Sequence, residues 1–190
     1  MKAIKEALAI LIIFAIGGAG KAHAPRTIDK LQPLVETSAR RLSIAESIAL
    51  AKWDTQAPVE DAAREAQVIV SAIHAGESKG LDQASVSNFF RAQIEANKLV
   101  QYSLLADWRR AGKAPDHAPI DLVRTIRPEL DQLETALIAE LAETAAIRAT
   151  ASCRPDIAKA VGKYVSSNKT KLGPLRRIAL DRALAAACTD

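Results

Sequence analysis

From Leu31 onward, apolar side chains return every three or four residues, and that spacing leaves this chain little choice of fold. A helix turning 100° per residue gathers such positions on one face, whereas a half-buried strand needs strict alternation. Leu31, Leu34, Val35, Leu42, Ala45, Ile48 and Ala49 mark a first helix that the pattern carries to about Trp53. Pro33 is accommodated only near its first turn. Pro58 opens a second helix that closes near Gly76, with Glu60 and Asp61 complementing the dipole of its first turn. Asp82 followed by Ser85 supplies an N-cap for a third helix, whose inner side carries Val86, Phe89, Phe90, Ile94, Val100, Leu104 and Leu105. That helix ends between Trp108 and Gly112, and Gly112, Pro115 and Pro119 mark a linker over residues 113–121. A fourth helix bears Leu130, Leu133, Leu137, Ile138 and Leu141, with Pro128 in its first turn or at a kink. Cys153 starts a fifth, and Gly173-Pro174 separates it from a sixth ending at Cys188. Aromatic residues make up only 4% of the chain, too few for a typical β-sandwich core. The expectation is an all-α bundle of about six helices.

Residues 1–24 stand apart from this pattern. Lys2 and Lys5 precede an uncharged run from Ala7 to Ala19, and Ala22-His23-Ala24 completes the grammar of a secretory signal peptide. The run is short for a membrane span, although an uncleaved anchor is the alternative. Removing this segment takes away Lys2, Lys5 and Lys21 against Glu6, so the formal charge falls from +4 to +2. The remaining residues, 25–190, read as one helical domain: 25–112, the linker, and 122–190. In an exported chain two cysteines, Cys153 and Cys188, read as one disulfide, with two buried free thiols as the alternative. Closing that loop would stabilise the fold by roughly 3–4 kcal/mol.

Several chemistries are missing. His74 and His117 have no second histidine or cysteine at ligand spacing, so both read as surface residues rather than metal ligands. No nucleophile elbow, zinc-protease, phosphate-loop or dinucleotide signature occurs. The near-neutral mature charge, without basic clusters interleaved with aromatics, gives no support for nucleic-acid binding. No membrane association is expected after signal cleavage.

Polar residues that share helical faces are more informative. Arg41 and Lys52 are eleven residues apart, which on a continuous helix leaves only about 20° between them and roughly 16 Å between their Cα atoms. Asp61, Arg64 and Glu65 share a face at spacings of three and four, a pattern that a first-turn salt-bridge cluster also produces. Gln93, Asn97 and Gln101 recur at steps of four among apolar residues, consistent with a polar pocket or an exposed amide stripe.

Taken in order, Arg40-Arg41-Leu42, Ala51-Lys52-Trp53, Pro58-Val59-Glu60-Asp61 with Arg64-Glu65, Gly80-Leu81-Asp82, Phe89-Phe90, Gln93-Ile94, Gln101-Tyr102 and Asp107-Trp108 resemble the all-helical chorismate mutases, specifically their exported, gamma subclass. The likeness runs over about residues 30–110; beyond 121 it rests on Arg127 and the two cysteines.

The resemblance implies a type II chorismate mutase fold and the Claisen rearrangement of chorismate to prephenate, a unimolecular step needing no cofactor or metal. It implies that Lys52 and Gln101 reach the substrate's ether oxygen, with Arg41 and Arg64 as cationic members of the catalytic set. Arg127, Asp61, Glu65 and Asn97 complete the substrate-binding set, Arg124 being a rival for the place of Arg127. It further implies a homodimer with a whole site in each protomer. The competing reading is an exported, non-catalytic helical protein whose cationic pocket captures a dicarboxylate.

Overall fold

The computed structural model describes residues 26–168, 170 and 172–189, so the signal peptide expected over residues 1–24 lies outside the described residues. Helix α1 (Thr27–Ser43) and helix α2 (Ala45–Thr55) occupy the stretch expected to be one continuous helix. The interruption is a single residue, Ile44, which stays in right-handed helical geometry and is buried against Ile126 and Leu133. Helix α3 (Ala62–Glu77) begins later than the sequence suggests, because Asp61 is its N-cap and accepts the Arg64 N–H at 3.0 Å.

Helix α4 (Gln83–Ala111) is capped by Asp82 as expected and runs about 43 Å through the bundle. Gly112 ends it at φ 75°, a left-handed conformation that costs glycine little. A π-helical segment, Leu122–Ile126, follows the linker and leads into α5 (Arg127–Glu143). Helix α6 (Ala145–Arg148) is a single turn that the apolar spacing does not announce. Helices α7 (Cys153–Ser167) and α8 (Pro174–Ala183) complete the fold; α8 stops five residues short of Cys188. The described residues form eight α-helices and the π-helical segment, with no strand among them. None of these helices is long and apolar enough to cross a membrane.

Helix α4 packs against α1, α2, α3 and α8, while α1 also meets α5 and α7. Their shared core contains Leu31, Leu34, Val35, Val86, Phe89, Phe90, Val100, Leu137, Leu141 and Leu180. The two phenylalanine rings meet edge to face at 5.6 Å. Close approach of α3 and α4 depends on Gly76, where a Cβ would lie 2.8 Å from Val86 Cγ2. A smaller cluster of Ala49, Leu50, Val59, Leu105 and Trp108, with Trp53 against the Trp108 ring, closes the other end of α4.

The C-terminal segment is tied down twice. Cys153 and Cys188 are joined in a disulfide spanning 35 residues. The fully buried Arg148 donates to Ala187 O at 2.6 Å, Leu141 O at 2.9 Å and Ser85 Oγ at 2.9 Å. Burial lowers the pKa of this guanidinium, whose donors are satisfied by neutral oxygens.

Candidate active site

Helices α1 to α5 and the π-helical segment enclose a cleft of about 730 Å³, its open mouth included. Its polar wall contains all eight residues that the resemblance assigns to the site: Arg41, Lys52, Asp61, Arg64, Glu65, Asn97, Gln101 and Arg127. Ile48, Val59, Val68, Ile94, Leu122, Ile126 and Leu130 supply the apolar wall. Five cationic side chains and two carboxylates border the space, so it favours an anionic occupant.

Arg41 lies in the last turn of α1 and is only 6% exposed. Its Nε is buried with no hydrogen-bond partner among the described residues. Burial pushes its pKa down to about 10, Glu134 partly restoring it and Arg64 lowering it further. It therefore remains a cation at neutral pH, with no salt bridge to a carboxylate among the described residues.

Lys52, in the last turn of α2, donates to Val59 O at 2.6 Å. Burial lowers its pKa, while Asp61, Glu65 and Glu60 act in the opposite direction. The non-helical residues between α2 and α3 thus hold the ammonium at the cleft. At the start of α3 the capping is reciprocal: Asp61 accepts the Arg64 N–H, and Glu65 Oε1 accepts the Asp61 N–H at 3.3 Å. This organises Asp61, Arg64 and Glu65 through their own main chain before any ligand arrives. The Arg64 guanidinium pairs with Asp131 of α5 at 3.3 Å.

Along α4, Ile94, Asn97, Lys98 and Gln101 face the cleft at helical spacing. Asn97 Nδ2 donates to Arg41 O at 3.1 Å, and Gln101 Nε2 donates to Asn97 Oδ1 at 2.7 Å. Gln101 Oε1 is buried without a partner among the described residues. The third member of the amide series, Gln93, does not line the cleft; it joins Ser38 Oγ and Ala183 O in the core. The stripe that looked uniform in sequence is divided between packing and the site.

Lys98 was not singled out from the sequence, although it sits four residues after Ile94 and three before Gln101. It pairs with Glu95 at 2.7 Å, Glu65 at 3.2 Å and Glu60 at 3.7 Å. Burial works against its charge, but the bonds to Glu95 and Glu65 outweigh it and raise the pKa. Lys98 thereby holds Glu65 from the side opposite the α3 cap. Glu134 was also missed; its half-buried carboxyl accepts from Ser71 Oγ at 2.7 Å, and burial raises its pKa.

Arg127 reaches the cleft through the π-helical segment. Pro128 has no N–H to continue regular pairing, and the Arg127 N–H instead reaches back five residues to Leu122 O. Asp121 Oδ1 accepts from the N–H groups of both Val123 and Arg124 at 2.9 Å, fixing the start of the segment. This winding places Leu122, Ile126 and Arg127 on the cleft. The Arg124 side chain is 89% exposed and faces Asp121 at 3.8 Å.

Comparison with known proteins gives concordant matches. The family model described as chorismate mutase type II matches residues 27–102. The secreted chorismate mutase of Mycolicibacterium smegmatis is 30% identical over 183 residues, covering 95% of this chain and 99% of that protein. The crystal structure of a chorismate mutase from Burkholderia phymatum superposes with a TM-score of 0.81 at 43% identity, covering 86% of this chain and 99% of that one. One from Burkholderia thailandensis gives 0.78 at 33% identity, covering 84% and 99% respectively.

Proposed function

The chain belongs to the chorismate mutase type II family and catalyses the rearrangement of chorismate to prephenate; we propose that it does so by holding the substrate in a compact conformer within the cationic cleft. The reaction breaks the ether C–O bond and forms a C–C bond within one molecule, so atoms balance without a nucleophile or co-reactant. The catalyst's work is to bring the two ends together and to stabilise negative charge developing on the ether oxygen.

The observation that carries this assignment is Arg41, a nearly buried guanidinium with an unpartnered Nε at a cleft shared with Lys52, Arg64 and Arg127. Such a charge is costly unless an anion completes its hydrogen bonds. Arg41, Arg64 and Arg127 bind the two substrate carboxylates, arginine being suited to the task by its paired, planar donors. Lys52 turns from Val59 O to the ether oxygen and a neighbouring carboxylate. Gln101 gives that oxygen its second hydrogen bond. Asp61 and Glu65 engage the substrate hydroxyl and hold the surrounding cations. The cleft volume suits a single small molecule.

A protein that only captured dicarboxylates would not need an ammonium and an amide placed for an ether oxygen, so the pocket favours catalysis over binding alone. Purified protein mixed with chorismate should consume it and accumulate prephenate. Turnover no faster than the spontaneous rate would refute the assignment.

The secreted relative supports export of this chain, with residues 1–24 removed after Ala24. N-terminal sequencing of the exported protein should begin at Pro25. The mature protein assembles as a homodimer in which each protomer carries a whole site, since all eight site residues lie on one chain. Light scattering should give twice the protomer mass, and a monomer would refute the dimer alone.

A further inference from the structure

Asn97 is 5% exposed and spends both ends of its amide inside the protein. One end meets a main-chain carbonyl, and that fixes the orientation of everything beyond it. Arg41 lies in the last turn of α1, where helix carbonyls lose their regular donors, and Asn97 Nδ2 donates to its oxygen at 3.1 Å. Reversing the Asn97 amide would set two carbonyl oxygens against each other at that distance. Asn97 Oδ1 must therefore face Gln101, and Gln101 must in turn present its NH2 group, as it does at 2.7 Å.

We propose that Asn97 is a positioning residue that locks the Gln101 amide with its NH2 group available to the substrate's ether oxygen. The proposal rests on the role assigned to Gln101 above. An amide is nearly symmetrical in shape, and packing alone hardly distinguishes its two ends. Lys52 borders the same cleft, and a cation there favours a carbonyl oxygen over an NH2 group as the end of the Gln101 amide turned toward it. Without the relay, the carbonyl turns toward Lys52 and sets lone pairs against an oxygen that is gaining negative charge. With it, one N–H is bonded to Asn97 and the second remains for the ligand. The break at Ile44 is part of the device, because the end of α1 provides the carbonyl that sets the chain of orientations.

A double-mutant cycle tests this on the full mature protein with chorismate as substrate. Gln101→Leu should lower kcat by about 10²-fold, the scale of one preorganised donor. Asn97→Leu should lower kcat by about tenfold or more while KM changes less than about threefold, because substrate is held elsewhere. The double variant should match Gln101→Leu within about threefold, since Asn97 acts only through that amide. Multiplied losses in the double variant, or an Asn97→Leu effect confined to KM, would overturn the relay. If Gln101→Leu alone retains full kcat, the assigned role of Gln101 is wrong. If it loses kcat and Asn97→Leu does not, only the relay is wrong. Should leucine prevent folding, Asn97→Ser and Asn97→Ala carry the same test. Serine keeps an acceptor and alanine has none, so serine should retain at least about threefold more kcat; equal values would overturn the proposal.

Discussion

Replacing Arg41 with methionine should make the protein more stable and nearly inactive. The guanidinium is buried, its Nε lacks a partner among the described residues, and its pKa is depressed to about 10. At about 1.4 kcal/mol per tenfold, that depression is on the order of 3 kcal/mol against the charged form in the folded state. Methionine has a similar unbranched stem and no charge to desolvate. Allowing for imperfect packing, Arg41→Met should gain about 1–3 kcal/mol, or roughly 3–8 °C in Tm for a domain of this size.

The sign also fixes the pH window. A base with a lowered folded pKa carries its full penalty below that pKa and loses it only as pH rises above about 10. The gain in Tm should therefore be constant between about pH 5 and 8. Calorimetry of both proteins measures it, and chorismate turnover should fall by at least about 10²-fold in the same variant. A destabilised Arg41→Met would refute the claim that the cleft holds an uncompensated charge. Stabilisation with full activity would remove Arg41 from the site.

Lys52→Ala should lower kcat/KM by at least about 10²-fold, and unchanged kinetics would remove Lys52 from the reacting end of the cleft. Activity should change little between about pH 5 and 8, because an amide at Gln101 donates without taking up a proton; a steep acid-favoured profile would count against it. Arg127→Ala should raise KM for chorismate by about tenfold or more, while Arg124→Ala leaves the kinetics unchanged. The reverse result would mean that the π-helical segment presents the other arginine. Replacing Cys153 and Cys188 together with serine should cost roughly 3–4 kcal/mol on unfolding, and an unchanged Tm would show that Arg148 and packing suffice to hold the C-terminal segment.

The periodicity of the chain shows why so much of the candidate site's lining was legible in advance. Spacing within a helix is local, so the Asp61–Arg64–Glu65 group and Asn97 with Gln101 could be sorted onto faces without knowing what those faces met, whereas Arg41 and Lys52, read as sharing one continuous helix, lie on α1 and α2 either side of Ile44 and meet at the cleft through packing. Family likeness then implied which chemical role each residue would take. Spacing alone could not divide the amide series, because Gln93 and Gln101 differ only in which helices cover them. Lys98 escaped notice for a related reason: a lysine on a helix is ordinarily solvated, and only the approach of Glu60 and Glu65 from the α3 end draws it in.

By itself the sequence determined the helices, most of their ends and the residue types available for catalysis. Asp82 and Gly112 act through their immediate neighbours, and their signals were therefore reliable. The tertiary structure decided the interruption at Ile44, the winding that puts Arg127 on the cleft and leaves Arg124 exposed, and the burial that leaves the Arg41 Nε without a partner among the described residues. Each depends on contacts between segments far apart in the chain. Apolar spacing determines which side of a helix turns inward; only packing determines what it meets there, and so which charges are answered by the protein and which are left for a ligand.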